Sequence, residues 1–380
     1  MKKRIFICFM SFLIIFTSFV GTIYGIEVKE STFDLNAKSA ILIDANTGTI
    51  LYKQNENERL APASVTKVMT LLLVFEAIDE GKLNYEDLIT TSENASSMGG
   101  SQVFLEPGEE MTVNDLLKCV IVASANDAAL TLAEHVGGSE ESFVDMMNKR
   151  AKELGMDNTN FENVTGLDDD VKNHLTTAKD IAIMSRELLK HEKVCEYSTV
   201  WMDTIRDGEF GLTNTNRLVR FYKGVTGLKT GYTSGAGYCI SASAKRDDLH
   251  LIAVIMGAES SKIRNDAAAK LLDYGFANYS IYQSNSESME MELYGGTKEK
   301  IEVKFNSFES LVGKGQGNKI EKEIQIGDYI LAPIKKNEVI GKITYKLDGN
   351  IIGESDIISL ETVDKITFWE YFIKVLKNLF

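Results

Sequence analysis

A serine and a lysine lie one helical turn apart at the start of a strongly apolar stretch. Lys67 follows Ser64 by three positions, and Pro62 just before them suits the first turn of a helix. Positions i and i+3 of a helix share a face, so the amine lies near the hydroxyl. A serine hydroxyl is a poor nucleophile without a base, and lysine can be that base when burial and nearby cations lower its pKa. The pair predicts covalent catalysis by Ser64.

A Ser-x-Asn motif at Ser124 and Asn126 follows later, inside a stretch predicted to be helical from residue 116 to residue 135. A second motif of this type, at Ser92 and Asn94, lies in a polar stretch only 28 residues after Ser64. We therefore prefer the motif on the apolar helix as the partner of the serine and lysine.

A Lys-Thr-Gly motif at Lys229, Thr230 and Gly231 leads into a late hairpin. Glycine at such a place lets a ligand approach the strand backbone. A Ser-x-x-Lys motif alone is expected roughly once by chance in a chain of this length and composition. The order of the three motifs is therefore what predicts an acyl-transfer site.

The surrounding pattern predicts an α+β domain. Residues 39–52 read as strand, turn and strand, and residues 237–257 read as a hairpin with its turn at Asp247 and Asp248. Between them lie helical stretches, notably 68–78 and 114–135, and residues 265–279 read as a closing helix. We expect the first and last strands to share one antiparallel sheet covered by helices, in a catalytic domain of residues 26–280.

Short alternating runs replace the helices from about residue 284. Residues 301–305 and 343–347 alternate apolar and polar side chains, and Asp348 and Gly349 after the second run are a hairpin signal. The sequence therefore predicts a small all-β domain at residues 281–363.

Both termini carry membrane signals. Residues 1–4 are basic and residues 5–20 are mostly apolar, which predicts an exported protein with a signal peptide at residues 1–25. An uncleaved N-terminal membrane anchor is the alternative.

Residues 364–380 form the second signal, a predicted amphipathic helix. On a helical projection Glu370, Lys374, Lys377 and Asn378 fall in one polar sector. The segment is too short and too charged to span a bilayer, so we expect it to lie in the membrane interface; a helix docked on the protein's own core is the alternative. The opposite side consists of Phe368, Trp369, Phe372, Ile373, Leu376 and Leu379.

Composition excludes some classes of function. The 380 residues include 41 Lys and Arg against 55 Asp and Glu, a net charge of −14, which disfavours nucleic-acid binding. Only 4 histidines are present, and no motif predicts a metal site or another cofactor.

With these motifs the sequence resembles the low-molecular-mass penicillin-binding proteins that act as serine-type D-alanyl-D-alanine carboxypeptidases. The resemblance covers nearly the whole chain after the signal peptide and implies a transpeptidase-like or β-lactamase-like catalytic domain, a β-rich second domain and a membrane-anchoring C-terminal helix. Beyond the three motifs it is carried by residues 99–102, 105–109, 166–168, 174–178, 227–233 and 271–276.

The resemblance implies a role for each motif residue. Ser64 would attack the carbonyl between the two terminal D-alanines of a peptidoglycan stem peptide, and water would hydrolyse the acyl-enzyme. Lys67 would accept the serine proton, and Ser124 would relay it to the leaving amine. The backbone N–H groups of Ser64 and Tyr232 would form the oxyanion hole. β-Lactam antibiotics would acylate Ser64 as covalent inhibitors.

The resemblance also implies how substrate is held. Asn126 would bind the substrate's backbone amide, and Lys229 and Thr230, with Gly231 next to them, would face its terminal carboxylate. Relatives often place an arginine at the position of His250, so His250 is predicted to help with the carboxylate, with a plain hairpin-edge histidine as the alternative. His174 is interpreted as structural.

Three rival functions remain open at this point. A β-lactamase shares the motifs but needs a carboxylate for fast deacylation, and the nearest candidate is Glu162. A DD-endopeptidase would use the same site, and a membrane-tethered module could bind peptidoglycan without turnover. The separate β-domain, the terminal helix and the complete set of motif residues favour the carboxypeptidase at the outer face of the cytoplasmic membrane.

Overall fold

The computed structural model describes residues 35–167, 172–327 and 329–379. The predicted signal peptide lies outside the described residues, and so does Asp168. The described chain divides into two compact units. One contains the described residues up to Tyr282 together with Leu311–Gly317, and the other contains Gln283–Ser310 and the residues from Asn318 onward.

The first unit combines helices with short and long strands. Its strands are β1 (Ser39–Asp44), β2 (Ile50–Gln54), β3 (Leu88–Thr90), β4 (Glu110–Thr112), β5 (Met202–Ile205), β6 (Phe210–Thr213), β7 (Val225–Thr233), β8 (Gly237–Arg246) and β9 (Leu249–Ala258), with β10 (Tyr279–Ser284) at its end. Its helices are α1 (Lys67–Asp79), α2 (Glu93–Ser96), α3 (Val113–Val122), α4 (Asn126–Gly137), α5 (Glu140–Glu153), α6 (Ala178–Leu188), α7 (Lys193–Ser198), α8 (Leu218–Phe221) and α9 (Ser261–Asn278).

One antiparallel sheet organises this unit, in the order β2-β1-β9-β8-β7. The N-terminal strand β1 pairs with β9 at the other end of the domain, with Ile41 opposite Val254. The predicted sharing of one sheet by the first and last strands is therefore confirmed, and so is the α+β class.

The sheet is buried on both faces because side chains along β1 alternate between two apolar cores. Ile41 and Ile43 belong to the core that contains α1, α3, α4 and α6. Ala40 and Leu42 belong to the core that contains α9. A strand buried on both sides must be apolar at every position, which explains the continuous run Ala-Ile-Leu-Ile in the sequence.

Two of the predicted helices are confirmed with small shifts, and one prediction is wrong. The stretch 68–78 is α1, and the stretch 265–279 is α9, which begins earlier because Ser260 caps it by accepting the N–H of Ile263. The predicted helix 114–135 is broken into α3 and α4. Ser124 between them has a left-handed φ of 64°, which no α-helix accommodates.

The second unit is all β, as predicted, except for its last helix. Its strands are β11 (Glu287–Tyr294), β12 (Lys300–Phe305), β14 (Ile320–Ile326), β15 (Ile330–Leu331), β16 (Val339–Leu347) and β17 (Asn350–Ser359), and β13 (Phe308–Gly313) pairs with β10. The six form one sheet in the order β14-β16-β17-β12-β11-β15. Asp348 and Gly349 have φ values of 49° and 83°, so the predicted hairpin turn joins β16 to β17.

The C-terminal helix α10 (Phe368–Leu379) leaves its apolar side chains in solvent. Phe368 is 73% exposed and Trp369 is 70% exposed, while Lys374 forms a 2.6 Å ion pair with Glu299 of the same unit. This exposure argues against a helix docked on the core of its own domain. Within the described residues, no helix is both long and apolar enough to cross a bilayer.

The loop between α5 and α6 packs directly on the turn that carries Ser64. Gly166 has a φ of 82°, and a Cβ atom there would lie 1.9 Å from the carbonyl oxygen of Ala63. The loop is closed by Asn163, whose Oδ1 accepts the N–H groups of Thr165 and Gly166. Glycine is therefore required at residue 166 both by its φ and by the close approach.

We expect Gly166→Ala to lower the free energy of unfolding by about 3 kcal/mol or more, because it adds a backbone clash to left-handed strain. Gly155 is the matched control, since its φ is 73° and no atom lies within 4 Å of an added Cβ. Gly155→Ala should cost only about 1 to 2 kcal/mol. Urea unfolding of both variants compares the two losses, and equal losses would show that the loop moves away without cost.

Candidate active site

The three motifs meet in one hydrogen-bonded cluster. The Lys67 amine lies 3.0 Å from the Ser64 Oγ and 2.5 Å from the Oδ1 of Asn126. The Lys229 amine donates to the Oγ of Ser124 at 2.7 Å. The structure therefore brings together the side chains of Ser64, Lys67, Ser124, Asn126 and Lys229.

Strand β7 brings the Lys-Thr-Gly motif against the serine. A Cβ atom on Gly231 would lie 2.8 Å from the carbonyl oxygen of Pro62 and 2.9 Å from the backbone nitrogen of Ser64. Only glycine permits this approach of the strand to the serine backbone. The Thr230 hydroxyl is held by the hydroxyl of Thr215 at 2.7 Å.

The break between α3 and α4 is what presents the Ser-x-Asn motif. Ser124 sits in the break, and Asn126 begins α4. The backbone N–H of Asn126 donates to the carbonyl of Ser101 at 2.7 Å, and its side-chain amide donates to the carbonyl of Gly99 at 2.6 Å. These two bonds fix the Asn126 amide so that its oxygen faces Lys67.

A backbone group that the sequence did not indicate completes the surroundings of the lysine. The carbonyl oxygen of Thr165 accepts from the Lys67 amine at 3.1 Å. This carbonyl and the Oδ1 of Asn126 can only accept hydrogen bonds. A neutral amine has two N–H donors and one lone pair, so these acceptors take both donors and direct the lone pair at Ser64.

The environment favours that neutral amine. Lys67 is completely buried, and burial lowers its pKa well below the usual 10.5; the charge of Lys229 lowers it further, while Asp127 opposes the shift. An ammonium cannot accept a proton, whereas a neutral amine can. The Ser64 hydroxyl therefore lies next to an amine whose surroundings favour the form that can accept a proton.

Arg264 is a functional candidate that the sequence analysis missed. It is buried on α9, and burial lowers its own pKa to about 10. Burial, followed by the charge of Arg264, lowers the pKa of Lys229 to about 7. Arg264 thus places a second positive charge close enough to act on Lys229.

A signal for Arg264 was present in the pattern of α9. An arginine at the buried end of an otherwise apolar helical stripe needs a reason to be there. The buried positions that follow it at helical spacing are Ala267, Ala268, Leu271, Leu272, Gly275 and Phe276.

The prediction for His250 is wrong. Its Nε2 lies 2.9 Å from the Thr226 hydroxyl, and His250 on β9 is paired with Lys245 on β8. Lys229 on β7 is paired with Ser241 on β8, and Ser241 is paired in turn with Val254 on β9. At about 3.3 Å per residue His250 lies roughly 13 Å further along the strand, so it cannot take the place of an arginine at the carboxylate.

Tyr232 and Glu162 lie at the margin of the cluster. The Tyr232 side chain is 54% exposed and stacks on Tyr238 at 4.2 Å. The Glu162 carboxylate accepts the N–H of Asn173 at 2.9 Å and is exposed. The Glu162 carboxylate is thus held by the loop before α6.

Two family models match this chain, one over most of the first unit and one over most of the second. Residues 26–260 match the family model described as D-alanyl-D-alanine carboxypeptidase. Residues 276–365 match the model described as the C-terminal domain of penicillin-binding protein 5.

Individual relatives cover most of the chain. The D-alanyl-D-alanine carboxypeptidase DacF of Bacillus subtilis is 47% identical over 340 residues, which cover 87% of this chain and 87% of that protein. Penicillin-binding protein 5 from Haemophilus influenzae has a crystal structure similar to this one with a TM-score of 0.72 and 32% identity, covering 88% of this chain and 99% of that one. Penicillin-binding protein D2 from Listeria monocytogenes, in its ampicillin-bound form, is similar with a TM-score of 0.60 and 32% identity, covering 65% of this chain and 100% of that one.

Arg264→Gln should raise the pKa of Lys229 from about 7 toward the usual 10.5, because the substitution removes a cation that disfavours the ammonium. A titration of the ¹³Cε signals of labelled lysines by NMR measures this shift. Arg220→Gln is the control, since the Arg220 guanidinium lies over the Trp201 ring, 5.5 Å from its centroid, and does not perturb Lys229. An unchanged Lys229 pKa in the Arg264 variant would show that the charge of Arg264 does not lower the pKa of Lys229.

Proposed function

Because the chain belongs to the D-alanyl-D-alanine carboxypeptidase family, it is a serine-type carboxypeptidase of the penicillin-binding protein class, and we propose that its acyl-enzyme forms on Ser64. The substrate is the D-alanyl-D-alanine end of a peptidoglycan stem peptide, from which the enzyme removes the last D-alanine. The observation that carries the assignment of Ser64 is the Lys67 amine, held at 3.0 Å from its hydroxyl with both N–H donors engaged elsewhere.

Acylation then proceeds through groups already in contact. The Ser64 Oγ attacks the carbonyl carbon while its proton passes to the lone pair of Lys67. The backbone N–H groups of Ser64 and Tyr232 bind the oxygen as it becomes negative. The proton now on Lys67 is relayed through the hydroxyl of Ser124, which Lys229 hydrogen-bonds, to the leaving amine as the carbon–nitrogen bond breaks, so Lys67 is neutral again and Ser124 is unchanged. Water then hydrolyses the ester and restores the serine.

The substrate's terminal carboxylate fits the cationic edge of β7. Lys229 and Arg264 supply positive charge there, and the Thr230 hydroxyl, which donates to the Thr215 hydroxyl in this structure, would turn its proton to the carboxylate. The Asn126 amide, fixed by Gly99 and Ser101, binds the backbone amide of the substrate. These contacts select a free carboxylate next to the scissile bond, which is the defining feature of a carboxypeptidase substrate.

Penicillin should acylate Ser64, because its strained amide and carboxylate match the end of the natural substrate. A fluorescent penicillin should label the parent protein and leave Ser64→Ala unlabelled. The label should persist for many minutes, as expected of an acyl-enzyme in a penicillin-binding protein. Release of D-alanine from a pentapeptide ending in D-Ala-D-Ala should fall at least 1000-fold in the same variant. Rapid multiple turnover of penicillin would instead favour a β-lactamase.

We further propose that the protein is exported and held at the outer face of the cytoplasmic membrane by α10. Aromatic and aliphatic side chains of α10 lie exposed beside Lys374 and Lys377, the composition of an interfacial helix. Four large apolar side chains that bury half of their surface would contribute roughly 4 kcal/mol, enough for reversible attachment. Peripheral attachment would place the active site near newly made peptidoglycan.

Flotation with liposomes tests the membrane contact. The chain without residues 1–25 should rise with the lipid, whereas the same chain ending at Lys365 should stay behind. Trp369→Ser is a milder variant, since Trp369 is 70% exposed and makes no part of either core; it should float several-fold less. All three forms should release D-alanine from a soluble peptide at similar rates. Equal flotation of all three would place the membrane contact elsewhere.

A further inference from the structure

His174 joins the loop before α6 to the turn that carries the catalytic residues. Its Nδ1 lies 3.0 Å from the backbone nitrogen of Glu162, and its Nε2 lies 2.7 Å from the hydroxyl of Thr66. The ring is buried and packs edge-on against Phe161 at 5.7 Å. One side chain therefore links two segments that lie 108 residues apart in sequence.

The two hydrogen bonds determine the form of the ring. A backbone N–H only donates, so the Nδ1 of His174 must be unprotonated to accept from Glu162. The proton of the neutral ring is then on Nε2, which donates to Thr66. Burial lowers the pKa of His174 to about 4, against a weaker opposing effect of Glu162, so this neutral form persists at neutral pH.

The segment after Glu162 is a rigid turn that ends at the catalytic lysine. The side chain of Asn163 accepts the N–H groups of Thr165 and Gly166 and donates to the carbonyl of Leu167. The carbonyl of Thr165 accepts from the Lys67 amine at 3.1 Å. A displacement of Glu162 is therefore passed through the turn to the group that orients Lys67.

We propose that His174 is a positioning residue for acylation: by fixing Glu162 to Thr66, it holds the Thr165 carbonyl where it directs the lone pair of Lys67 at Ser64. The proposal rests on the proposed role of Lys67 as the base. It assigns His174 a kinetic role in addition to the structural one predicted from sequence.

A second tie limits what the loss of His174 would do. The Thr70 hydroxyl donates to the carbonyl of Val164 at 2.6 Å, which attaches the same loop to α1 independently. This bond should keep the loop on α1 without His174, so we expect the loss to appear as a small shift of the Thr165 carbonyl relative to Lys67. Small misplacements of a catalytic group can cost about 100-fold in rate.

The test separates binding from acylation by stopped-flow measurement with a fluorescent penicillin. His174→Leu, which keeps an apolar side chain but removes both hydrogen bonds, should slow the acylation step by about 10-fold to 100-fold. The dissociation constant of the reversible complex should change less than about twofold, since Asn126, Lys229 and Thr230 are untouched. His174→Asn places an acceptor near the position of Nδ1, so it should recover most of the rate.

A double-mutant cycle tests whether His174 acts on Lys67 through the turn after Glu162 and the Thr165 carbonyl. Asn163→Ala breaks the turn after Glu162, and it should produce the same defect as His174→Leu. The double variant should be no slower than the slower single variant, because both changes release the same carbonyl. If the rate losses of the two single variants multiply in the double variant, His174 does not act through the turn at Asn163. The comparison can be repeated with His174→Asn if the leucine variant does not fold.

His250→Leu is the matched control. His250 is half-buried, burial also lowers its pKa to about 4, and it also hydrogen-bonds a threonine, but at the far end of the strands. The acylation rate of His250→Leu should equal that of the parent once both rates are divided by the fraction of folded protein. Acylation by folded His174→Leu within twofold of the parent, or equal slowing in the leucine and asparagine variants, would overturn the proposal. A parent that takes up no label would instead contradict the proposed function.

Discussion

Burying the amine of Lys67 imposes a condition on everything around it. An ammonium without solvent is strongly disfavoured, so burial makes the lysine a base, but a buried amine must still have hydrogen-bond partners. Asn126, Thr165 and Ser64 supply these partners from three segments far apart in the chain. Only a tightly packed junction of α1, α4 and the loop before α6 can satisfy that requirement.

Close backbone approaches make this junction possible. Gly231 lets β7 reach the backbone of Ser64, and Gly166 lets the loop reach the carbonyl of Ala63. Ala63 and Ser124 have φ values of 50° and 64°, an arrangement that costs energy for any residue with a side chain. Strain next to Ser64 and at Ser124 is maintained because the surrounding helices and the sheet hold both segments in place.

The chemistry and the sheet were predictable from sequence because their signals are local. Ser64 with Lys67 needs only one helical turn to bring the groups together, and Lys229 with Gly231 needs only one strand. Continuous apolar runs marked the strands buried on both faces, and the hairpin turn at Asp348 and Gly349 was marked by residue types that accept positive φ. The family resemblance added the order in which these local units assemble.

The tertiary structure decided what no local signal carries. The apolar stretch around Ser124 reads as one helix, and only packing reveals the break that turns its hydroxyl toward Lys229. The cation beside Lys229 comes from Arg264 on α9 rather than from His250, because helix packing and strand register, not proximity in sequence, determine which side chains meet. The Thr165 carbonyl has no sequence signature at all, since every residue carries one. The sequence by itself therefore determined the family and the candidate reactive groups, and the packing of distant segments decided how those groups are oriented.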